Sequence, residues 1–355
     1  MTGAGERMRV LHIAECFAAG VRTAMLEYIA STPMIEHIVV AADRGEPMPE
    51  SCDSYRVIGM AHGHVARIHQ VRKLCREFHP ALIHAHSSFA GVYARIGCSD
   101  VPVVYTPHCF GFERGDLPVT ARRILWLAER SLVGRTAAVA ACSLREARLA
   151  RKLGAPSVCI PNVGRFGHDI VRAAAGESRD GISEVAFMGR ITPQKDPGFA
   201  LEAVRRIAAL REGRVLFEWI GDGPAADRAR LEDAGVRVTG WLSAEEVAAE
   251  LSRCAVYVHT AAWEGFPMAV LEASQLGLPI VARAIPALEG MPEEFLADDP
   301  ETVAAIAARA MGAPRTRGDC AARWDEALSG NTRGNQRDAL IAAYSRAIGR
   351  AIQER

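Results

Sequence analysis

Two stretches place cationic and acidic side chains where a loop meets a helix, an arrangement suited to an anionic ligand that also carries hydroxyls. In Phe187-Met-Gly-Arg-Ile-Thr-Pro-Gln-Lys-Asp-Pro197 an apolar run ends in Gly189, Arg190 and Lys195. Arginine offers a planar fork and lysine a point charge, a pair suited to the oxygens of a diphosphate. Only three of the 42 basic residues are lysines, Lys73, Lys152 and Lys195, so a lysine inside a motif carries information. In Thr260-Ala-Ala-Trp-Glu-Gly-Phe-Pro-Met-Ala-Val-Leu-Glu272, Pro267 stands where a first helical turn would start, and the amides of Met268 and Ala269 would face an anion. Glu264 lies before that helix, Glu272 inside it, and Gly265 and Phe266 join the same candidate set. The two carboxylates could reach different hydroxyls of one extended ligand, although an exposed loop acid and a helix acid give the same spacing.

Weaker signals surround these. Gly221-Asp-Gly-Pro224 follows an apolar run and reads equally as a turn or a ligand contact. Ala18-Ala-Gly20-Val21 is a candidate phosphate loop in which Gly20 would admit a close backbone approach, and a plain strand-to-helix turn accounts for it as well. His84, His86 and Ser87 fall in Ile83-His-Ala-His-Ser-Ser88, and His108 in Tyr105-Thr-Pro-His-Cys-Phe110. A His-x-His metal site would need further ligands that the spacing does not supply, so no metal is expected. His108, followed by Gly111 in an irregular loop, is the better placed to handle a proton or a hydroxyl. His84 is expected to be a satisfied buried histidine.

The elements that must position these groups are legible as alternating strands and helices. Met8–Ala14, His37–Ala41, Ala81–Ala85, Val101–Thr106 and Ala137–Ala141 read as buried strands, and Val65–Phe78 as an intervening helix. Val65, Ile68, Val71, Leu74 and Phe78 would form its apolar face. Arg67, Arg72, Lys73 and Arg76 would form a basic face that is either simply solvated or a patch for an anionic membrane. From 168 to 181 periodicity is lost, as in a linker. Strands at Glu184–Met188, Val215–Ile220, Val236–Thr239, Ala255–His259 and Pro279–Ala282 then alternate with helices near 197–211, 224–234, 244–252 and 267–276, and Arg333–Ile352 reads as a final helix. The spacing predicts α/β architecture in two Rossmann-like, doubly wound domains facing a central cleft. Residues 1–167 form the first domain, 182–335 the second, and 336–355 a helix that can cross back to the first.

Composition bounds the rest. With 49% hydrophobic and 24% charged residues the chain is neither disordered nor collagen-like. Nine cysteines, an odd number without a Cys-x-x-Cys pair, indicate no disulfide framework and no zinc site. No apolar window approaches the roughly 20 residues of a membrane span, and the expected location is cytoplasmic, with peripheral attachment at the inner face of the membrane left open. Residues 1–168 hold 20 Lys and Arg against 14 Asp and Glu, and the remainder 22 against 28. Nothing resembles a nucleic-acid module, so nucleic acid is not an expected partner.

Taken together, these stretches resemble the retaining glycosyltransferases of family 4, which have the GT-B architecture, and the similarity runs over nearly the whole chain. It is carried by Gly189-Arg190 with Lys195, Gly221-Asp222-Gly223, Glu264-Gly-Phe-Pro with Glu272, and Gly277-x-Pro279, in the family's order. In the first domain His84-Ala-His86-Ser87-Ser and Thr106-Pro-His108 look like acceptor-side segments. The resemblance implies a UDP- or GDP-sugar donor held mainly by the second domain, and a lipid-linked or polysaccharide acceptor. It implies that Arg190 and Lys195 bind the diphosphate in place of a metal, Glu272 the ribose and Glu264 the sugar. His108 would meet the sugar or acceptor near the reacting carbon, the anomeric configuration would be kept by same-face attack, and no cofactor is implied. Two departures stand out: Ala19-Gly20 where the family often has two glycines, and Asn162-Val-Gly164 where it commonly has Asn-Gly. Competing readings are a sugar-nucleotide epimerase or hydrolase using Glu15, Asp100, Glu113 or Asp116 as acid/base groups, and a non-catalytic sugar-nucleotide-binding partner.

Overall fold

The β-branched runs become strands buried on both faces, as parallel sheets require. The computed structural model describes residues 7–15, 17–42, 50–174, 183–212, 215–312, 314–349 and 351–352. The chain divides into two units, Met1–Val163 with Thr332–Arg355, and Gly164–Asn331.

The first unit holds strands β1 (Arg9–Ala14), β2 (Glu36–Ala41), β3 (Tyr55–Gly59), β4 (Leu82–His86), β5 (Val103–Thr106), β6 (Ala138–Ala141) and β7 (Ser157–Cys159). They pair in parallel in the order β3-β2-β1-β4-β5-β6-β7. Helices α1 (Ala19–Ser31), α2 (His64–Phe78), α3 (Ser88–Gly97), α4 (Val119–Leu132) and α5 (Leu144–Leu153) connect them. One sheet face packs Leu11, Ile13, Ile83, Ala85 and Tyr105 against α2 and α3. On the other, Val10, Leu82 and Val104 meet Tyr28 of α1 and Leu340, Ala343 and Tyr344 of the last helix of the chain.

The second unit opens with α6 (His168–Ala174), followed by β8 (Ser183–Met188), α7 (Pro197–Leu210), β9 (Val215–Ile220), α8 (Ala225–Asp233), β10 (Val236–Val238), α9 (Ala244–Arg253) and β11 (Val256–His259). After these come α10 (Met268–Gln275), β12 (Ile280–Arg283), β13 (Leu296–Ala297), α11 (Pro300–Ala310) and α12 (Pro314–Leu328). Its parallel sheet runs β10-β9-β8-β11-β12-β13. The final helix, α13 (Arg333–Ile348), returns to the first unit, where Gln336 accepts from Ser31 at 2.6 Å and donates to the Pro161 carbonyl at 2.9 Å.

Three details differ from the pattern-based expectation. The stretch expected as a linker begins with α6, because Ile170, Val171 and Ala174 pack onto the core of the second unit, and residues 175–181 of that stretch lie outside the described residues. Val65, expected on the apolar face of α2, lies in the first turn and is 69% exposed, and the buried residues of the helix are Val71, Leu74 and Cys75. Strands β3 and β7 have too few buried side chains to give a clear apolar signal.

One buried ion pair ties α3 to α4. Arg95 is 1% exposed, donates to the Glu129 carboxylate at 2.9 Å and lies over the Tyr105 ring, whose hydroxyl donates to the other Glu129 oxygen at 3.0 Å. Removing one partner strands the other charge out of water, which costs about 3–5 kcal/mol. Glu129→Ala is therefore expected to lower the stability of the first unit by that order in urea unfolding, and a loss below about 1 kcal/mol would contradict a dry pair.

Candidate active site

The second sheet changes winding direction between β8 and β11, and ligands of open α/β sheets sit outside the strand ends at such a point. Lys195 follows β8, Glu264 follows β11, and the two side chains meet in an ion pair with Nζ to Oε1 at 2.6 Å, each less than one-fifth exposed. Gln194 fixes the acid from the side, its Nε2 donating to Glu264 Oε2 at 3.1 Å and to the Trp263 carbonyl at 3.0 Å. The backbones are tied as well: the Ala262 amide donates to the Gln194 carbonyl at 2.8 Å, and the Thr260 hydroxyl donates to the Lys195 carbonyl at 2.6 Å.

Glycine makes this geometry possible. Gly189 has φ +129°, and a Cβ there would lie 2.6 Å from Lys195 Cε, so the lysine chain lies across the bare backbone at the end of β8. Gly221, at the end of β9 with φ +138°, abuts the Gly189 carbonyl so closely that a Cβ would collide with it, and the same carbonyl accepts from the Trp219 indole at 2.7 Å. Arg190 is exposed and its guanidinium stands 5.7 Å from the Trp241 ring centroid. Asp196 caps α7 by accepting from the Phe199 amide at 3.0 Å and pairs with Arg283 at 2.8 Å.

Pro267 proves to be the N-cap of α10 rather than its first helical residue, which leaves Met268 and Ala269 in the opening turn. Glu272, one turn further in, is only 5% exposed, and Arg165 pairs with it, Nε to Oε1 at 2.9 Å. Burial raises its carboxyl above the usual range, while Arg165 and then Lys195 pull it back. Gly265 is buried beneath this turn and Phe266 half-buried. His259 closes the end of β11, its Nδ1 against the Tyr257 hydroxyl at 2.9 Å and its Nε2 without a hydrogen-bond partner among the described residues. Burial, then the Lys195 charge, hold it well below the usual imidazole range.

The first unit places its nominated residues differently. Gly20 lies in the first turn of α1 rather than in a loop, and the left-handed backbone falls on the neighbouring Ala19, at φ +46°. Ser87, at φ +71°, precedes α3 as its N-cap. His86 is fully buried with both ring nitrogens engaged, so a ligand outside the core meets it only through His108. His84 is the satisfied core histidine expected, between the Tyr344 and Thr106 hydroxyls at 2.8 Å each. His108 is half-buried, at φ +52°, its Nε2 3.2 Å from His86 Nδ1. Local spacing hides two further members, His12 and His37: register places His12 opposite His84, and it brings ligand-type nitrogens of His12, His84 and His86 within 4.8 Å of one another. Spacing also hides Gln194, Arg165 and Trp241, whose positions depend on tertiary contacts. Arg67, assigned to a basic helix face, instead turns inward to the Ala61 carbonyl, Glu15 and the Tyr93 hydroxyl, leaving Arg72, Lys73 and Arg76 exposed.

Burial pushes the imidazoles of His37 and His108 down to about 4 and that of His84 to about 3, with neighbouring histidines adding to the effect on His84, and holds His12 and His86 well below the usual range. Unfolded histidines take up a proton near pH 6.5, whereas these refuse one until far lower, so the unfolded state binds more protons across that interval. Their contribution to stability is complete above pH 6.5 and is lost as pH falls below it. The melting temperature of the first unit is expected to drop steadily from pH 6.5 to 4.5 and to be flat from 6.5 to 8. An unchanged melting temperature over the acid range would contradict buried neutral rings.

Comparison with known proteins agrees with the fold. Residues 183–312 match the model described as "Glycosyl transferases group 1", and residues 5–162 match the one described as "Glycosyl transferase 4-like domain". A Klebsiella pneumoniae relative, described as an uncharacterized 41.2 kDa protein in the cps region, is 24% identical over 79% of this chain and 82% of its own length. The UDP-Gal:alpha-D-GlcNAc-diphosphoundecaprenol alpha-1,3-galactosyltransferase of Escherichia coli is 26% identical over 60% of each chain. Among solved structures, Anabaena HepE in complex with UDP and glucose superposes with a TM-score of 0.74 at 16% identity, covering 95% of this chain and 99% of that one.

Proposed function

We propose that this chain, a GT-B glycosyltransferase, takes its sugar from a nucleoside-diphosphate donor, UDP- or GDP-linked, and passes it to a lipid-linked or polysaccharide acceptor of the cell envelope, with retention and without a metal. One observation carries the donor reading: Lys195 and Glu264 meet at the switch point of the second sheet, beside the opening turn of α10. The diphosphate takes the Lys195 ammonium and the Arg190 fork, and Glu264, released from the lysine, accepts from the sugar hydroxyls. Glu272 accepts from the ribose with its position held by Arg165. As the glycosidic bond breaks, negative charge grows on the leaving nucleotide, and fixed cations there favour the transition state over the ground state. His108 of the first unit serves the sugar or the acceptor hydroxyl.

The E. coli relative acts from UDP-Gal on a diphosphoundecaprenol-linked sugar, and the Anabaena structure contains UDP and glucose, which supports a UDP donor and a lipid-linked acceptor. An outward helix face fits such an acceptor. On α4, Val119, Ile124 and Leu127 are at least 60% exposed, with Trp126 and Arg123 among them, a composition suited to the headgroup boundary of an anionic membrane. Arg72, Lys73 and Arg76 add cations on α2. The acids of the epimerase or hydrolase reading have partners of their own: Glu15 with Arg67, Glu113 with Arg145, Asp116 with Arg114, and Asp100 with the Ser99 hydroxyl.

Screening UDP, GDP, ADP and their sugar conjugates by thermal shift is expected to give a rise with one nucleotide class, since a ligand of the folded state raises the melting temperature by mass action. No rise with any of them from folded protein would remove the donor site. Lys195→Ala is expected to lower kcat by about 10²–10³, the usual cost of deleting one preorganised charge contact, without unfolding the protein, and near-normal turnover would sink the assignment. Turnover is expected to survive EDTA, and its complete loss would reveal a metal requirement.

A further inference from the structure

The first unit contains four histidines joined end to end, three buried on one face of its sheet and the fourth, His108, just beyond the end of β5. His37 Nδ1 lies 3.0 Å from His12 Nε2, His12 Nδ1 lies 3.1 Å from His86 Nε2, and His86 Nδ1 lies 3.2 Å from His108 Nε2. His12, His37 and His86 are at most 2% exposed, and only His108 lies outside the buried set. The inner end is anchored, since His37 Nε2 sits 3.0 Å from the Thr32 carbonyl oxygen and 3.2 Å from the Thr32 hydroxyl, whose own proton goes to the Tyr28 carbonyl at 2.7 Å.

A carbonyl oxygen can only accept, and a neutral imidazole has one N–H and one lone pair. His37 must therefore carry its proton on Nε2 and accept at Nδ1. That makes His12 an Nε2 donor accepting at Nδ1, and the same step repeats at His86 and at His108. We propose that the Thr32 carbonyl, acting through His37, His12 and His86 as positioning residues, locks His108 in the Nε2–H tautomer, so that its Nδ1 is presented as an obligate hydrogen-bond acceptor for a substrate hydroxyl. The downward push of burial on all four rings keeps them neutral, as the chain requires. The chain is a clamp rather than a conduit: a proton entering at His108 finds a carbonyl at the far end and no group to pass it to.

Two rival uses of these side chains are less well served. A metal held by His12, His84 and His86 would have to part the His12–His86 hydrogen bond, and His84 already spends both nitrogens on hydroxyls. Charged rings would place several cations within ring-centroid spacings of 5.2–5.5 Å in a buried layer, against which burial acts strongly. The acceptor role at His108 rests on the glycosyltransferase reading, but the tautomer does not.

The test is long-range 1H–15N correlation NMR of histidine-labelled, full-length protein at neutral pH without substrate, with His108→Asn used to assign the outer ring. The expected spectrum has His12, His37, His86 and His108 all protonated at Nε2 and bare at Nδ1. A proton on His108 Nδ1, or averaging between its two tautomers, would overturn the proposal. His37→Phe removes the anchor, and loss of the fixed His108 signature is expected, whereas an unchanged His108 signature would overturn the relay. If that variant does not fold, the wild-type spectrum alone decides. Retention of one equivalent of added zinc with shifts at His12, His84 and His86 would also overturn it. Failure of any of these leaves the nucleotide thermal shifts untouched, so the two readings fail separately.

Discussion

The two central strands of the second sheet, β8 and β11, lie side by side but send their chains off in opposite directions, and the opening this leaves at their C-terminal ends is what the meeting of Lys195 and Glu264 depends on. A lysine from one loop and a glutamate from the other can meet there without either crossing a strand. The meeting is close because the flanking positions lack side chains. With Gly221 pressed against the Gly189 carbonyl and Gly189 bare beneath the lysine chain, Lys195 runs close along the backbone, and Glu264 meets its end. Gln194 then holds the carboxylate from a second direction. Each of the two charges is thus held by the other, and a ligand that took either would have to replace this contact.

The first unit solves a different problem. The four histidines inside its sheet, His12, His37, His84 and His86, would each be a liability if left unpaired, since a buried polar atom without a partner costs more than a hydrogen bond gains. Strand register resolves this by setting His12 opposite His84 and by placing His84 and His86 two apart on the same face. Tyr344 and Thr106 satisfy the one ring that stands outside the chain of four. The result is a polar layer of fixed sense in an apolar setting, with one end at a backbone carbonyl and the other at the half-buried His108.

How much of this was legible in the sequence follows from which interactions are local. The strands ending at Ala14, Met188, Ile220 and His259 and the helix before Phe78 announce themselves because their apolar spacing is a property of consecutive residues. Lys195 and Glu264 could be nominated, through residue type and motif order, but their direct contact could not, because it spans 69 positions and depends on which strands are neighbours. For the same reason Arg165, the partner of Glu272, gave no signal. His12 and His37 are single polar residues in apolar runs, and only register makes them links in one chain. Strands β3 and β7, at the sheet edges, carry too few buried side chains to show a pattern.

The return of α13 to the first unit has a consequence for how the protein is made. Tyr344 bonds His84, Gln336 bonds Ser31, and Arg333 pairs with Glu27 at 2.8 Å, so residues that follow the second unit in the chain supply part of the first core. A ribosome delivers the chain from the N-terminal end, at roughly 5–20 residues per second. The first unit therefore emerges with one face of its sheet uncovered and must wait through the synthesis of the whole second unit before α13 can close it. The first unit is thus completed only after the second has been made, and a nascent chain stalled before residue 332 exposes Tyr28 and the buried histidine layer to whatever chaperone surveys it.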